Sequence, residues 1–170
     1  VRDTFPAALA NVLAHEGGRI DDPQDPGGRT NRGVTQRVYD DWRAASGLPK
    51  RDVWDMDPPE TEAIYRQLYW HPIRGDDLPP GVDYAVFDFA VNSGVKRAAR
   101  FLQNAAGVVA DGVIGPQTLN AVRGIPPMLL IRAVCDARLD FLRHLETFDR
   151  FGRGWTARVK EVQAQAEALA

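Results

Sequence analysis

Residues 17–34, GGRIDDPQDPGGRTNRGV, hold five glycines and two Asp-Pro steps inside a chain otherwise patterned for helices. No regular helix crosses such a stretch, because proline lacks the amide donor and glycine gives up the most backbone freedom on ordering. Isolated Ile20 and Val34 among turn formers instead predict a small irregular hairpin lobe. The segments on either side must then be helices that stop and start at its borders. Phe5, Leu9, Val12 and Leu13 repeat at helical spacing, with Asp3 or Thr4 as the cap and Pro6 in the first turn, and this helix is expected to end at Gly17-Gly18. Thr35 is placed to cap a second helix carrying Val38, Tyr39 and Trp42, which stops at Gly47-Leu48-Pro49.

Downstream, Asp57-Pro58-Pro59-Glu60 has the form of a capping box opening a helix through Ile64, Leu68 and Tyr69, with Pro72 closing it. Gly81 to Ser93 crowds Val82, Ala85, Val86, Phe89 and Ala90 together, which predicts a central helix buried on most sides. Further helices are expected from Val95 to Ala106, from Pro116, from Pro127 to about Glu146, and from Trp155 to Ala168, with Trp155 anchoring the last by packing. The fold class is therefore mainly α, with one small non-helical lobe near the N-terminus.

Several function classes are disfavoured by composition. A net charge of -2, with both signs spread along the 170 residues, provides no basic stripe for a phosphate backbone, so nucleic acid is not an expected partner. No run reaches the ~18 apolar residues of a membrane span, so no membrane insertion is expected. The N-terminus, which opens on Val1, shows no basic segment followed by an apolar stretch and a small-residue cleavage site. The single cysteine, Cys135, lies in a helical apolar pattern and is expected to be a buried, inert thiol.

Glu16 closes the first helical pattern, where the unpaired carbonyls of a helix end favour the protonated form of a nearby carboxyl. Such a group suits a general acid. Its company is Asp25, Thr30 and glycines that permit close approach of backbone and ligand. Inverting cleavage of a glycosidic bond requires one acid that protonates the leaving oxygen and a second polar site that orients water on the opposite face. Glu16 and Asp25 can supply the two sides, and the Thr30 hydroxyl can hold the water. Asp22 and Asp21 compete with Asp25, and each of these acids can equally be a turn former. Other chemistries fit poorly. His15-Glu16 begins like a zinc-protease helix but lacks the second histidine, the DDPQD acids do not alternate as calcium ligands do, GGRTNRG lacks the Lys-Ser/Thr of a phosphate loop, and no serine sits in a nucleophile elbow. No metal and no cofactor are expected. His71 and His144 read as surface histidines.

The stretch HEGGRIDDPQDPGGRTNRGVT resembles the N-terminal signature of glycoside hydrolase family 108, the N-acetylmuramidases found among phage lysins and bacterial secretion-activator proteins. That pattern is Glu-Gly-Gly-Tyr followed by Asp-Pro-Gly-Gly-x-Thr-x-x-Gly-Ile-Thr. YRQLYWHPIRGDDLP is similar to the family's Tyr-Trp segment, VFDFAVNSGVKRAARFLQ to its central helix, ADGVIGPQTLNAV to the start of its predicted peptidoglycan-binding region, and GRGWTARV to its closing Gly-Trp-x-x-Arg-Val. The resemblance implies a lysozyme-like helical fold, with a catalytic region over residues 1–94 and a helical peptidoglycan-binding region over 95–170 packed as part of one compact unit. It implies hydrolysis of the β-1,4 bond between N-acetylmuramic acid and N-acetylglucosamine, with Glu16 as the catalytic acid and Asp25 and Thr30 positioning water. Tyr69 and Trp70 stay open between core packing and stacking on a sugar, and Asn92 between a cap and a contact to an N-acetyl group. All three are carried as candidate substrate-binding residues. Arg19 stands where the family usually has Tyr, a departure that bears on substrate preference and on the strength of the Glu16 acid.

Two other functions remain open at this point: a catalytically weak wall-binding or secretion-assisting module, and a lytic transglycosylase that closes an anhydro ring without water. The expected partners are glycan strands of peptidoglycan, with a holin or a secretion apparatus for export. A monomer made in the cytoplasm and acting in the periplasm or wall after release is expected.

Overall fold

The structure is a computed structural model that describes residues 3–170. Among these residues lie eight α-helices and one three-stranded antiparallel sheet, a lysozyme-like, mainly α architecture. The chain forms two compact units. Leu9–Gln67 make the smaller one, and the described residues through Ala8 together with Leu68–Ala170 make the larger.

The smaller unit holds most of helix α1 (Phe5–His15), strands β1 (Arg19–Ile20), β2 (Thr30–Asn31) and β3 (Val34–Thr35), and helices α2 (Gln36–Ala45) and α3 (Pro58–Tyr65). Asp3 caps α1 through its carboxylate, which accepts from the Phe5 amide at 3.2 Å. The expected lobe is a meander in the order β1-β2-β3, with Arg19 opposite Asn31 and Thr30 opposite both Ile20 and Thr35. Thr35 then caps α2, accepting from the Val38 amide at 3.2 Å. The capping box at α3 is complete: Asp57 accepts from the Glu60 amide, and the Glu60 carboxylate accepts from the Asp57 amide. Glu60 also takes a hydrogen bond from Tyr39 at 2.6 Å and an ion pair from Arg43, which ties α2 to the start of α3. A short 3-10 turn at Val53–Asp55 lies beside β2, and the buried Asn31 amide donates to the Val53 carbonyl at 3.0 Å.

In the larger unit, α4 (Val82–Ser93) is the central helix, buried continuously from Val82 to Ala90. It packs against α5 (Val95–Ala106), α7 (Pro127–Arg143) and α8 (Phe148–Leu169), while α6 (Pro116–Arg123) packs on α5. The division expected at residue 94 follows the motif borders, whereas these packed helices place α4 with the C-terminal elements. Phe5, Trp70 and Phe87 form an aromatic cluster of edge-on and tilted pairs with centroids 5.2 to 5.7 Å apart. Seating Trp70 there accompanies a π turn over Arg66–Trp70, where regular helix was expected. Helix α8 begins seven residues earlier than the sequence suggests, because Gly152 lies beneath the Phe148 ring, where a β-carbon would fall 2.6 Å from it. Trp155 packs against Phe148 and Phe151. Cys135 is buried, and burial pushes its thiol up to about 12.

Candidate active site

Glu16 is half-buried one residue past α1, its amide donating to the Leu13 carbonyl at 3.3 Å. The chain beyond it is tied to the sheet, since the Arg32 amide donates to the Gly18 carbonyl at 3.3 Å. Between β2 and β3 the turn has only two residues, and both have positive φ: Arg32 at 51° and Gly33 at 77°. A left-handed pair matches the twist of a tight hairpin, but it costs a residue with a β-carbon about 1–2 kcal/mol. Tyr65, 1% exposed at the end of α3, holds the turn by donating its hydroxyl to the Arg32 carbonyl at 2.6 Å.

Gly33 is the point where this turn meets the acid. A β-carbon there would fall 2.5 Å from Tyr65 Oη and 3.0 Å from Glu16 Oε2. The Glu16 carboxylate and the Tyr65 hydroxyl therefore both close on a glycine that leaves them room. Tyr65, Arg32 and Gly33 were not singled out by sequence. The Asn-Arg-Gly-Val spelling does signal a two-residue turn, but nothing local indicates a contact with Tyr65, far along the chain.

The other two proposed catalytic residues lie in the same unit. Asp25 is half-buried, and its Oδ1 accepts from the Gly27 amide at 2.7 Å in a side-chain turn. Asp22 makes the same kind of turn with the Gln24 amide, and Asp21 pairs with Arg29 at 3.5 Å. Thr30 is half-buried in β2. Arg19 sends its guanidinium to the Trp54 carbonyl at 2.8 Å. A cavity of about 480 Å³ on this unit is lined by Pro26, Gly28, Arg37, Asp40 and Lys50 among others and includes neither Glu16 nor Thr30, so cavity size does not mark the acid.

The family model Glycosyl hydrolase 108 matches residues 9–94, which hold all of these residues. The chain belongs to that family. A second model, Predicted Peptidoglycan domain, matches residues 97–160. Among solved structures, the chain is similar to that titled "Structure of Brucella abortus SagA", at 44% identity over 99% of this chain and 97% of that one, with a TM-score of 0.86. No curated protein matches. This family 108 chain is a glycoside hydrolase of peptidoglycan, and its second region binds that polymer.

The substrate-binding candidates of the family 108 chain lie in the larger unit. Trp70 is fully buried in the Phe5 and Phe87 cluster, with Nε1 donating to Asp76 at 2.8 Å. It is a core residue and not a sugar-stacking one, because no face of the ring is accessible. Tyr69 is half-buried. Asn92 is exposed at the end of α4, with its Oδ1 accepting from Arg138 Nη2 at 3.1 Å. Arg138 is itself 1% exposed and paired with Asp88 at 2.7 Å, so the Asn92 amide is anchored from the core. Among the described residues no cluster of three metal-ligating side chains occurs, and no helix is long and apolar enough to cross a membrane.

Proposed function

We propose that this chain is an N-acetylmuramidase that cleaves the β-1,4 bond between N-acetylmuramic acid and N-acetylglucosamine. The observation that carries the reading is the lodging of the Glu16 carboxyl against the Arg32-Gly33 turn. A fixed acid is what protonation of a leaving oxygen requires, since general acids act only from within hydrogen-bond reach of the proton's destination. Glu16 gives its proton to the glycosidic oxygen as the bond to the muramic-acid anomeric carbon breaks. A water held by Asp25 and Thr30 adds to that carbon from the opposite face and passes its proton to Asp25. The products are a reducing muramic-acid end and a free hydroxyl on the glucosamine. Asn92, its carbonyl accepting from Arg138, and half-buried Tyr69 are the candidate substrate contacts of the larger unit.

The test is mass analysis of muropeptides from purified walls digested by the natural protein and by Glu16→Gln. Loss of a general acid costs roughly 10²–10⁴-fold, so reducing ends should come only from the natural protein. Anhydro ends would assign a transglycosylase instead. Failure of both proteins to cut walls of several chemotypes would leave a wall-binding module, and equal cutting by both would move the acid elsewhere.

A further inference from the structure

Helix α5 opens with Val95-Lys96-Arg97 and carries Arg100 one turn on, with no acidic residue in its first turn. A helix start favours anions and disfavours cations by roughly 0.3–1 kcal/mol each, so two cations in this turn oppose local stability. Packing does not require them either, since α5 buries its other face through Ala98, Ala99 and Leu102. All three cationic side chains are exposed and make no ion pair among the described residues. Arg97 is nonetheless held in place, its guanidinium 4.4 Å over the Phe141 ring and its Nη1 donating to the Ser93 carbonyl at 3.2 Å. A cavity of about 440 Å³ opens here, lined by Ser93, Lys96, Arg97, Arg100, Phe101 and Phe141. The neighbouring acid, Asp111, is engaged with the Val113 amide and Gln103, and Arg100 adds only a weaker attraction.

We propose that this groove is a carboxylate subsite for the peptide stems of peptidoglycan, an inference that rests on the peptidoglycan reading above. The glycan of that polymer is largely neutral, and its anionic groups are the free carboxylates of short peptides rich in alanyl residues. A chain of net charge -2 needs its cations gathered on one face to meet such a polymer. An arginine held over an aromatic ring is steadied for a carboxylate, which a guanidinium can match in bidentate fashion. The Phe101 and Phe141 rings beside it suit alanyl methyl groups.

Calorimetric titration of the whole protein with a free stem tetrapeptide, at low and moderate salt, tests this. Replacing Lys96, Arg97 and Arg100 together by Gln is expected to weaken binding ~10-fold, the size expected for three exposed charge contacts, and to flatten the salt dependence. Arg97→Lys is expected to keep part of the affinity. The thermal midpoint of the triple variant should not fall, because removing cations from a helix start relieves the dipole. In digestion, the ratio of cutting on intact walls to cutting on amidase-stripped glycan strands should drop by a similar factor. Unchanged stem binding by the triple variant would overturn the proposal. So would equal or tighter binding to anionic phospholipid vesicles, or displacement of the stem by inorganic phosphate at comparable concentration. If the natural protein cuts neither substrate, the hydrolase reading fails while the titration still decides the groove.

Discussion

The hydroxyl of Tyr65 donates to the carbonyl of Arg32 at 2.6 Å, so a buried aromatic on α3 holds the left-handed turn against which Glu16 rests. The proposed catalytic acid is thus positioned by a hairpin turn as much as by its own helix.

Gly33→Ala should damage both stability and rate. The new methyl would meet Tyr65 Oη and Glu16 Oε2 from a backbone at φ 77°. A loss of about 1–3 kcal/mol in urea unfolding is expected, and since displacing a catalytic group by about an ångström can cost ~10²-fold, a rate loss of that order should accompany it. A variant that released reducing ends at the natural rate would mean that the turn does not hold the acid.

Asp25 carries two roles that a pair of variants separates. Asp25→Asn keeps the oxygen that accepts from the Gly27 amide, and Asp25→Ala removes it. Both should lose activity by roughly 10²–10⁴-fold if the carboxylate takes the water's proton. Only the alanine variant should also lose about 1 kcal/mol of stability. Normal cutting by Asp25→Asn would reduce this residue to a turn former.

The buried ions of the larger unit should dominate its stability. Asp88 is wholly buried and pairs with Arg138 at 2.7 Å and with Arg158 at 3.0 Å. Asp88→Asn removes the buried charge that pairs with both guanidinium groups and is expected to cost about 3–5 kcal/mol in urea unfolding. The exposed pair of Arg74 and Asp77 makes a comparable 2.8 Å contact at the surface, and Asp77→Asn should change stability by less than about 1 kcal/mol.

Asp83 should give the stability curve a feature of its own. Burial raises its carboxyl above the ordinary 3.8, against the lowering effect of hydrogen bonds from Thr4, Tyr84 and Gly81. A carboxyl that binds its proton more tightly when folded contributes stability fully below the unfolded value, and that contribution is lost as pH rises through the folded one. Asp83→Asn should therefore gain stability relative to the natural protein as pH climbs from below 3.8 to neutrality. Parallel urea midpoints for the two proteins across that range would refute it.

Local signals made most of the helical borders legible. Thr35 and the Asp57 and Glu60 box are written within four residues of the amides they cap, so sequence spacing suffices to find them. Trp70 is different: its place was decided by Phe5 and Phe87, which are distant in sequence, and either reading of an aromatic at a helix end was consistent with its neighbours. The early start of α8 was hidden because Gly152 reads as a break until the Phe148 ring is seen to need the space. At the candidate site, Glu16 and its lobe were visible as a motif. Tyr65 was not, since its bond to Arg32 joins two segments 33 residues apart.

The larger unit is assembled from two stretches of chain, with Leu9–Gln67 lying between them in sequence. Phe5 finds ring partners at Trp70 and Phe87. During synthesis at ~5–20 residues per second, the hairpin unit is complete while Phe5 still waits, roughly one to four seconds, for Phe87 to emerge. The order of manufacture is thus acid-bearing lobe first and helical body last, with the beginning of the chain held back as a stave for that body.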